Sequence, residues 1–401
     1  MKILLGISAG ISIYKIPTVI RLLRKDGHIV RVIMTENAAR LISPVLFKSI
    51  SGEDVFVEEF DMHEPLAHIK LSDWADVFAV APASADILAK IAAGFADSLL
   101  TTTMLAFNKK KILFPSMNTR MFDNNATREN IQKLSGLGYD VIMPDSGDLA
   151  CGTSGRGRLP PEDKISALVG RDINEPLKGF KYLVTAGGTV EKIDPVRYIS
   201  NFSSGKMGIE IAKSLFEKGA EVLIIYSNIS TALPSWIPSI KVSSAEEMLE
   251  AVRTNLPGFD GIYMAGAPVD FKPDSCSPDK MKKDNVREIR LVKTPDILKE
   301  IYASGLGREQ LTVGFALETD NGEENAVKKL REKNLDFIAL NMINVQKNIQ
   351  PMGSDDNEIL LFSSSSEKSK KISGSKREVA RWLVLHTAGC KKGHLNDSTR
   401  D

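Results

Sequence analysis

"MKILLGISAGISIYKIPTVIRLLRKDGHIVRVIMT" (residues 1–35) decides the class of fold. It opens with a short apolar run that reads as a buried strand, followed by a Gly/Ser loop, Gly6–Gly10. Ile13, Ile16, Ile20 and Leu23 then recur three or four apart, which is the spacing of one helical face. Gly27 ends that run. Pro17 lacks an N–H, so it must kink the helix or lie near its start. "HIVRVIMT" (28–35) is a second strand, and the three pieces make a strand–helix–strand unit.

The alternation continues outward. "DVFAVAPAS" (76–84) and "KKILFPSMN" (110–118) read as strands, separated by helical stretches at 84–94 and 124–136. Apolar strand runs alternating with helices predict a parallel, doubly wound sheet. The pattern restarts at residue 180 with "FKYLVTAGGTVEKIDPVRYISNFSSGKMGIEIAKSLFEKGAEVLIIYS". Later strands are "GIYMAGAP" (261–268), "LTVGFALE" (311–318) and "FIALNMI" (337–343). The fold class is therefore α/β, with two doubly wound, mostly parallel-sheet domains. The expected boundaries are a first domain at 1–172, a linker at 173–179, a second domain at 180–390 and a tail at 391–401. The linker falls within the polar "VGRDINEPLKG" (169–179), which contains Pro176. "SSSSEKSKKISGSK" (363–376) reads as a surface loop between the strand-like "EILLF" and a helix starting near Ser375.

Composition narrows the function. A length of 401 residues exceeds what one core organises. A formal net charge of +1 gives no bulk attraction to nucleic acid or to an anionic membrane, so any anion site is local. The three cysteines, Cys151, Cys276 and Cys390, are far apart and show no CxxC spacing, which argues against a disulfide framework or a thiolate zinc site. The N-terminal run turns polar too soon for a signal peptide, and no apolar stretch is long enough to span a bilayer. A cytoplasmic protein with no membrane partner is expected.

Several residues carry possible chemistry. Gly6–Gly10 lies between a strand and a helix, where free N–H groups bind anions, and Ser8 and Ser12 add hydroxyls. The next strands end in Thr35 and in the Ala81–Asp86 loop, and such ends converge at one crevice. The glycine spacing is wrong for a dinucleotide fingerprint and the later acidic residue is missing, so a mononucleotide fits better. His68 alone reads as a capping or buried histidine; pairing it with His63 leaves a metal site short of ligands. Asn118 sits in a Pro/Met-rich loop, and Cys151 in a Gly-rich stretch near Arg156 and Arg158, where a thiol is more reactive than a buried one.

In the second half, Ser203–Gly208 opens a helix and suits phosphate, although no Walker motif is present. Asp270 follows a strand, "DKMKKDN" (279–285) is a lysine cluster, and Pro295 is expected in the first turn of a helix. Lys329 and Lys333 lie four apart on one helical face.

"GISAGISIYK", "HIKLSDWADVFAVAPASADILAK", "PSMNTRMF" and "ACGTSGRGRL", in this order, resemble the flavin-dependent cysteine decarboxylases. They are most similar to the decarboxylase half of the bifunctional phosphopantothenoylcysteine decarboxylase/phosphopantothenate–cysteine ligases of coenzyme A synthesis. The resemblance implies a flavodoxin-like domain with FMN in the crevice, at Ser8, Gly10, Thr35, Ser84, Ala85 and Asp86. It implies a catalytic histidine at His68, a substrate-holding asparagine at Asn118 and a proton-donating clamp cysteine at Cys151. One departure is "SAG" where the family usually has "SGG".

The later motifs "VTAGGTVEKIDPVRYISNFSSGKMG", "AGAPVDFKP", "DKMKKDN", "KTPDILKE" and "GFALETDNGEENAVKKLREKNLD" resemble the ligase half, in the family's order. This implies a Rossmann-like domain in which CTP, with Mg2+, activates 4′-phosphopantothenate as an acyl-cytidylate that cysteine then attacks. Asn201 matches the asparagine that converts the acyl-cytidylate, and Lys280 the residue that stabilises the transferring phosphate. Met264, Ala265, Gly266, Asp270, Lys280, Pro295, Asp296, Ile297, Leu298, Phe315, Lys329 and Lys333 match nucleotide-binding positions. The departure is "AGAPVDF" for the commoner "AAVADY", which bears on nucleotide preference. The family also implies a homo-oligomer built from decarboxylase-domain trimers and ligase-domain dimers. A flavin decarboxylase of peptide C-terminal cysteines, or a flavin prenyltransferase, would leave the second half unexplained. Non-catalytic flavin-binding relatives usually lose the histidine or the clamp cysteine, and this chain keeps both.

Overall fold

The computed structural model describes residues 1–58, 66–148, 152, 154–282, 288–342 and 353–389. It forms two units, Met1–Ile173 and Asn174–Asp401.

In the first unit, β1 (Lys2–Ile7), β2 (Ile29–Met34), β3 (Val55–Phe56), β4 (Val77–Ala83), β5 (Lys110–Pro115) and β6 (Asp140–Val141) form one sheet. Its order is β3-β2-β1-β4-β5-β6, and every neighbouring pair is parallel. Alternation along β1 feeds two cores. Ile3, Leu5 and Ile7 pack with Ile16, Ile20 and Leu23 on one face, and Leu4 packs with Leu88 and Leu100 on the other. Burial on both faces explains why these strands read as continuous apolar runs. Pro17 lies at the start of the helix Ile16–Lys25, after a 3-10 turn at Ile11–Lys15, where its missing N–H breaks no helical bond. The direction of winding reverses between β1 and β4, which opens a crevice beyond their C-terminal ends. A separate antiparallel hairpin joins β7 (Asp145–Asp148) to β8 (Ser154–Arg158).

The second unit contains β9 (Lys181–Ala186), the hairpin β10 (Val190–Lys192) and β11 (Tyr198–Ser200), β12 (Glu221–Tyr226), β13 (Ser239–Lys241) and β14 (Gly261–Met264). These are followed by the antiparallel pair β15 (Phe271–Pro273) and β16 (Leu291–Lys293), then β17 (Leu311–Glu318), β18 (Phe337–Met342), β19 (Asp356–Ser363) and β20 (Ser366–Ser375). The main sheet runs β13-β12-β9-β14-β17-β18-β19-β20. It is parallel as far as β18 and antiparallel across β19 and β20. Its reversal lies between β9 and β14. The helix Lys206–Glu217 packs so closely on β9 that a Cβ at Gly208 would stand 2.7 Å from the Thr185 carbonyl oxygen, so only glycine allows this approach.

Two expectations are corrected. The Ser/Lys-rich stretch at 363–376 is no loop: most of it forms β20, paired with β19. The hydrogen bonds come from a distant partner, Ile372 packs on the core, and the exposed lysines decorate a sheet edge, where charge discourages unwanted pairing. Pro295 lies before its helix rather than in the first turn. The helix is Ile297–Ala303, and Asp296 caps it by accepting from the Lys299 N–H at 3.3 Å. Of the expected linker, Ile173 falls in the first unit, whereas Leu177 is buried in the core of the second. The expected tail at 391–401 lies outside the described residues.

Candidate active sites

In the first unit, one buried hydroxyl ties two strand ends together. Ser8, just beyond β1, donates to the Pro82 carbonyl at 2.8 Å and accepts from the Ser84 N–H at 2.9 Å. Ser84 then caps the helix Ala85–Ala93 through the Ile87 N–H, and Thr35 caps Glu36–Leu41 through the Ala38 N–H. The Ser12 and Ser116 hydroxyls stand 2.9 Å apart. A Cβ at Gly10 would meet only Pro82 at 3.7 Å and Ser12 at 4.0 Å, so the loop leaves room above it. Hydroxyls, helix-terminal N–H groups and open space together fit a phosphate-bearing flavin. Asp86 departs from this pattern: its side chain is 71% exposed and pairs with Lys90 at 3.5 Å.

His68 is the second residue of the helix Ala67–Trp74. Ala67 and Leu71 turn into the core, while His68 is half-buried. Leu66 occupies the cap position, so His68 does not cap, and its imidazole has no hydrogen-bond partner among the described residues. His63 lies outside the described residues.

Asn118 caps the short helix Thr119–Phe122, accepting from the Arg120 N–H at 2.9 Å. Its loop is gripped by the β7–β8 hairpin. The Met117 N–H donates to the Gly157 carbonyl at 3.0 Å, and a Cβ at Gly157 would stand 2.1 Å from the Met117 carbonyl oxygen. The base of the hairpin is anchored by Lys164, 2.9 Å from Asp145, and by buried Lys15, which donates to the Leu159 carbonyl at 3.2 Å. Burial lowers the pKa of Lys15, partly offset by Glu162, while Arg158 lowers it further. Cys151, between β7 and β8 in the sequence, lies outside the described residues.

In the second unit, a cavity of about 460 Å³ opens at the β9/β14 reversal. That is the size of a small-ligand pocket. It is lined by Asn201, by Met264, Ala265, Gly266 and Asp270 after β14, and by Pro295, Asp296, Ile297 and Leu298. Phe315, Lys329 and Lys333 complete the matched set. Asn201 donates through Nδ2 to the Ala267 and Pro268 carbonyls at 3.3 and 3.2 Å, which fixes the turn after β14. The Gly266 N–H is held by the Thr185 hydroxyl at 2.9 Å, and a Cβ there would meet the same oxygen at 2.9 Å. Both helix lysines are paired: Lys329 with Glu318 at 2.5 Å, and Lys333 with Asp296 at 3.0 Å.

Lys280 is the exception, since it is exposed and does not line the cavity. Its segment is nevertheless anchored. The Met281 N–H donates to Asp194 Oδ2 at 3.2 Å, and Arg197 Nη2 donates to the Met281 carbonyl at 2.6 Å. Asp194 also accepts from the Val196 and Arg197 N–H groups, each at 2.8 Å. Burial opposes ionisation of Asp194, but these three N–H donors and the Arg197 charge outweigh it, so its carboxyl titrates below the ordinary range. The unfolded state therefore binds the proton more readily, and the ionised carboxylate stabilises the fold above the unfolded pKa. That stabilisation is lost as pH falls through the folded pKa. Asp194→Ala is expected to lower the melting temperature at pH 7, with a difference that shrinks on acidification; calorimetry over a pH series checks this.

Sequence reading did not single out Thr294, Asn341, Asn357 or Lys376, which also line the cavity. Lys206 lay only within a stretch marked for phosphate. Asn341 and Asn357 carry no motif and reach the cavity from the antiparallel strands β18 and β19. Among the described residues no group of three or more His, Cys, Asp or Glu could hold a metal, and no helix is long and apolar enough to cross a membrane.

The flavoprotein family matches residues 1–174, and the DNA/pantothenate metabolism flavoprotein C-terminal domain matches 177–389. Over 399 residues the chain is 38% identical to the coenzyme A biosynthesis bifunctional protein CoaBC of Bacillus subtilis, covering 98% of this chain and 97% of the relative. It is 39% identical to CoaBC of Vibrio vulnificus, strain CMCP6, over 399 residues, covering 98% of each. A crystal structure of the C-terminal domain of CoaBC is 35% identical, covering 53% of this chain and 95% of that one, with a TM-score of 0.43. A PPC decarboxylase complexed with pantothenoylaminoethenethiol is 29% identical, covering 42% and 95%, with a TM-score of 0.38.

Proposed function

The chain belongs to the family of bifunctional coenzyme A biosynthesis proteins, and from that premise we propose how its two units divide the work. The second unit joins 4′-phosphopantothenate to cysteine at the expense of CTP. The first decarboxylates the resulting phosphopantothenoylcysteine to 4′-phosphopantetheine. The observation that best supports this reading is the cavity at the β9/β14 reversal. Residues matched only by their order in separate stretches of sequence, Asn201 through Lys333 with the exception of Lys280, line it together.

In ligation, the carboxylate of 4′-phosphopantothenate attacks the α-phosphate of CTP, giving an acyl-cytidylate and pyrophosphate. The cysteine amine then attacks the acyl carbon, and CMP leaves. Lys329 and Lys333, pre-positioned by Glu318 and Asp296, hold nucleotide oxygens. Asn201 fixes the turn that faces the reacting carboxyl. Lys280, a compact cation on an anchored segment, stabilises charge on the transferring phosphate. Magnesium accompanies the triphosphate, because it keeps its waters and needs few protein ligands.

In decarboxylation, bound FMN supplies the electron sink that a carboxylate beside a thiol-bearing carbon lacks. Ser8, Gly10, Thr35 and Ser84, with the N-terminal turn that starts at Ala85, hold its phosphate-bearing end. His68 carries a proton at the reacting centre. Asn118 holds the substrate carboxylate and amide, and Cys151 donates a proton under the hairpin clamp.

Exposed Ile11 and Tyr14 flank the first site and exposed Phe202 the second, consistent with a homo-oligomer of first-unit trimers and second-unit dimers. The compartment in this reading is the cytoplasm. The test is to run the two reactions separately. Phosphopantothenoylcysteine alone should release CO2 without nucleotide. 4′-Phosphopantothenate and cysteine should form phosphopantothenoylcysteine with CTP, giving CMP; formation with ATP alone would reassign the nucleotide.

A further inference from the structure

A proton carrier needs a fixed orientation, which a third group bonded to its ring usually supplies. His68 has no such partner among the described residues, so its place is set by its helix, Ala67–Trp74. At the N-terminal end of that helix, Leu66 in the cap position has no side-chain oxygen to bond the free N–H groups. Ala67 and Leu71 bury apolar surface, an attraction without direction. Three directional contacts hold the C-terminal end. Lys109 Nζ donates to the Asp73 carbonyl at 3.1 Å and to the Ala75 carbonyl at 2.6 Å. The Ser72 hydroxyl donates to the Ala106 carbonyl at 3.2 Å, which ties the helix to the last residue of the helix Leu99–Ala106. The Arg31 guanidinium lies 4.4 Å from the Trp74 ring centroid and is itself held by Glu53 at 3.1 Å. Of these anchors, Lys109 has a second connection. It immediately precedes β5, whose Ile112, Leu113 and Phe114 are buried and whose far end runs through Ser116 and Met117 into Asn118. One packed strand thus carries the anchor of the His68 helix at its start and Asn118 beyond its end.

We infer that Lys109 is a positioning residue for decarboxylation: its ammonium, bonded to the end of the His68 helix, sets where that helix sits against the strand that leads to Asn118. The inference rests on the decarboxylase reading of the first unit. Lys109 bonds backbone carbonyls at the end of the helix remote from His68, so it acts through the helix and not on the reacting atoms.

The test is CO2 release from phosphopantothenoylcysteine by the full chain loaded with FMN. Wild type is compared with Lys109→Met, Lys109→Arg, His68→Asn and the double variant His68→Asn/Lys109→Met. Lys109 is exposed, so methionine in its place opens no cavity. A catalytic group misplaced by about 1 Å costs on the order of 100-fold, so kcat in Lys109→Met is expected to fall about 10- to 100-fold. KM and the absorption spectrum of the bound flavin stay unchanged, and Lys109→Arg, which keeps the donors, recovers most of the loss. In the His68→Asn background the same substitution has no further effect, because the helix no longer has a proton carrier to place. A merely structural loss would lower the rate by the same factor in both backgrounds. Unchanged kcat in Lys109→Met, or an equal loss with and without His68, overturns the inference. A wild-type rate in His68→Asn instead overturns the reading beneath it. Should Lys109→Met fail to fold, Lys109→Gln, which keeps a shorter neutral donor, goes through the same cycle and is judged by the same outcomes.

Discussion

His68→Asn is expected to lower decarboxylation by about 10²- to 10⁴-fold, the range associated with losing a positioned proton carrier. Ligation should continue at the wild-type rate, so phosphopantothenoylcysteine accumulates. The variant should fold. His68 is half-buried on a helix whose core contacts come from Ala67 and Leu71, and its imidazole supports no hydrogen bond among the described residues. Asparagine keeps a polar group of similar reach but cannot carry a proton near neutral pH. CO2 release from phosphopantothenoylcysteine, measured beside CMP formation, separates the two reactions. Loss of both with the fold intact would contradict two independent sites. Decarboxylation within tenfold of wild type would remove His68 from the chemistry.

The second large effect is expected at Gly157. Its φ is +137°, a conformation that residues with side chains rarely adopt, and strain of this kind alone costs about 1–3 kcal/mol. The space is also closed, because an added Cβ would stand 2.1 Å from the Met117 carbonyl oxygen, a backbone atom that no rotamer change can move. Gly157→Ala must therefore push the β7–β8 hairpin off the Asn118 loop and break the Met117–Gly157 hydrogen bond. Misplacement of about 1 Å lowers rates on the order of 100-fold, so decarboxylation should fall by at least that much. The melting transition of the first unit should drop, and ligation should be spared. Gly136→Ala is a control, since a Cβ there meets nothing within 4 Å. Wild-type decarboxylation in Gly157→Ala would mean that hairpin docking does not matter to the site.

Both sheets were legible wherever local sequence carries the signal. Apolar runs of strand length, Gly/Ser loops and helical spacing place β2, β4 and β17 close to their observed bounds. Pro17 falls at a helix start, one of the two positions its chemistry permits. Where the controlling interaction is non-local, sequence said less. β20 is polar and lysine-rich, and it is a strand because β19 supplies its hydrogen bonds. At 295–296 the cap is made by the Asp296 carboxylate, which the nearby proline obscured. The cavity of the second unit was legible in the stretches that resemble a family. Lys376 and Asn357 lie beyond those stretches and reach the cavity only through the antiparallel end of the sheet. Lys280 shows the opposite case: its motif is clear, yet it is exposed on a segment held by Asp194 and Arg197 outside the cavity lining.

The most direct test of two linked activities in one chain is a product mass spectrum. Purified protein would be incubated with 4′-phosphopantothenate, cysteine, CTP and magnesium. The account expects 4′-phosphopantetheine and CMP in equal amounts. Phosphopantothenoylcysteine accumulating without 4′-phosphopantetheine would contradict the decarboxylase assignment of His68, Asn118 and Cys151. Absence of both products, with CTP and with ATP, would contradict the account as a whole.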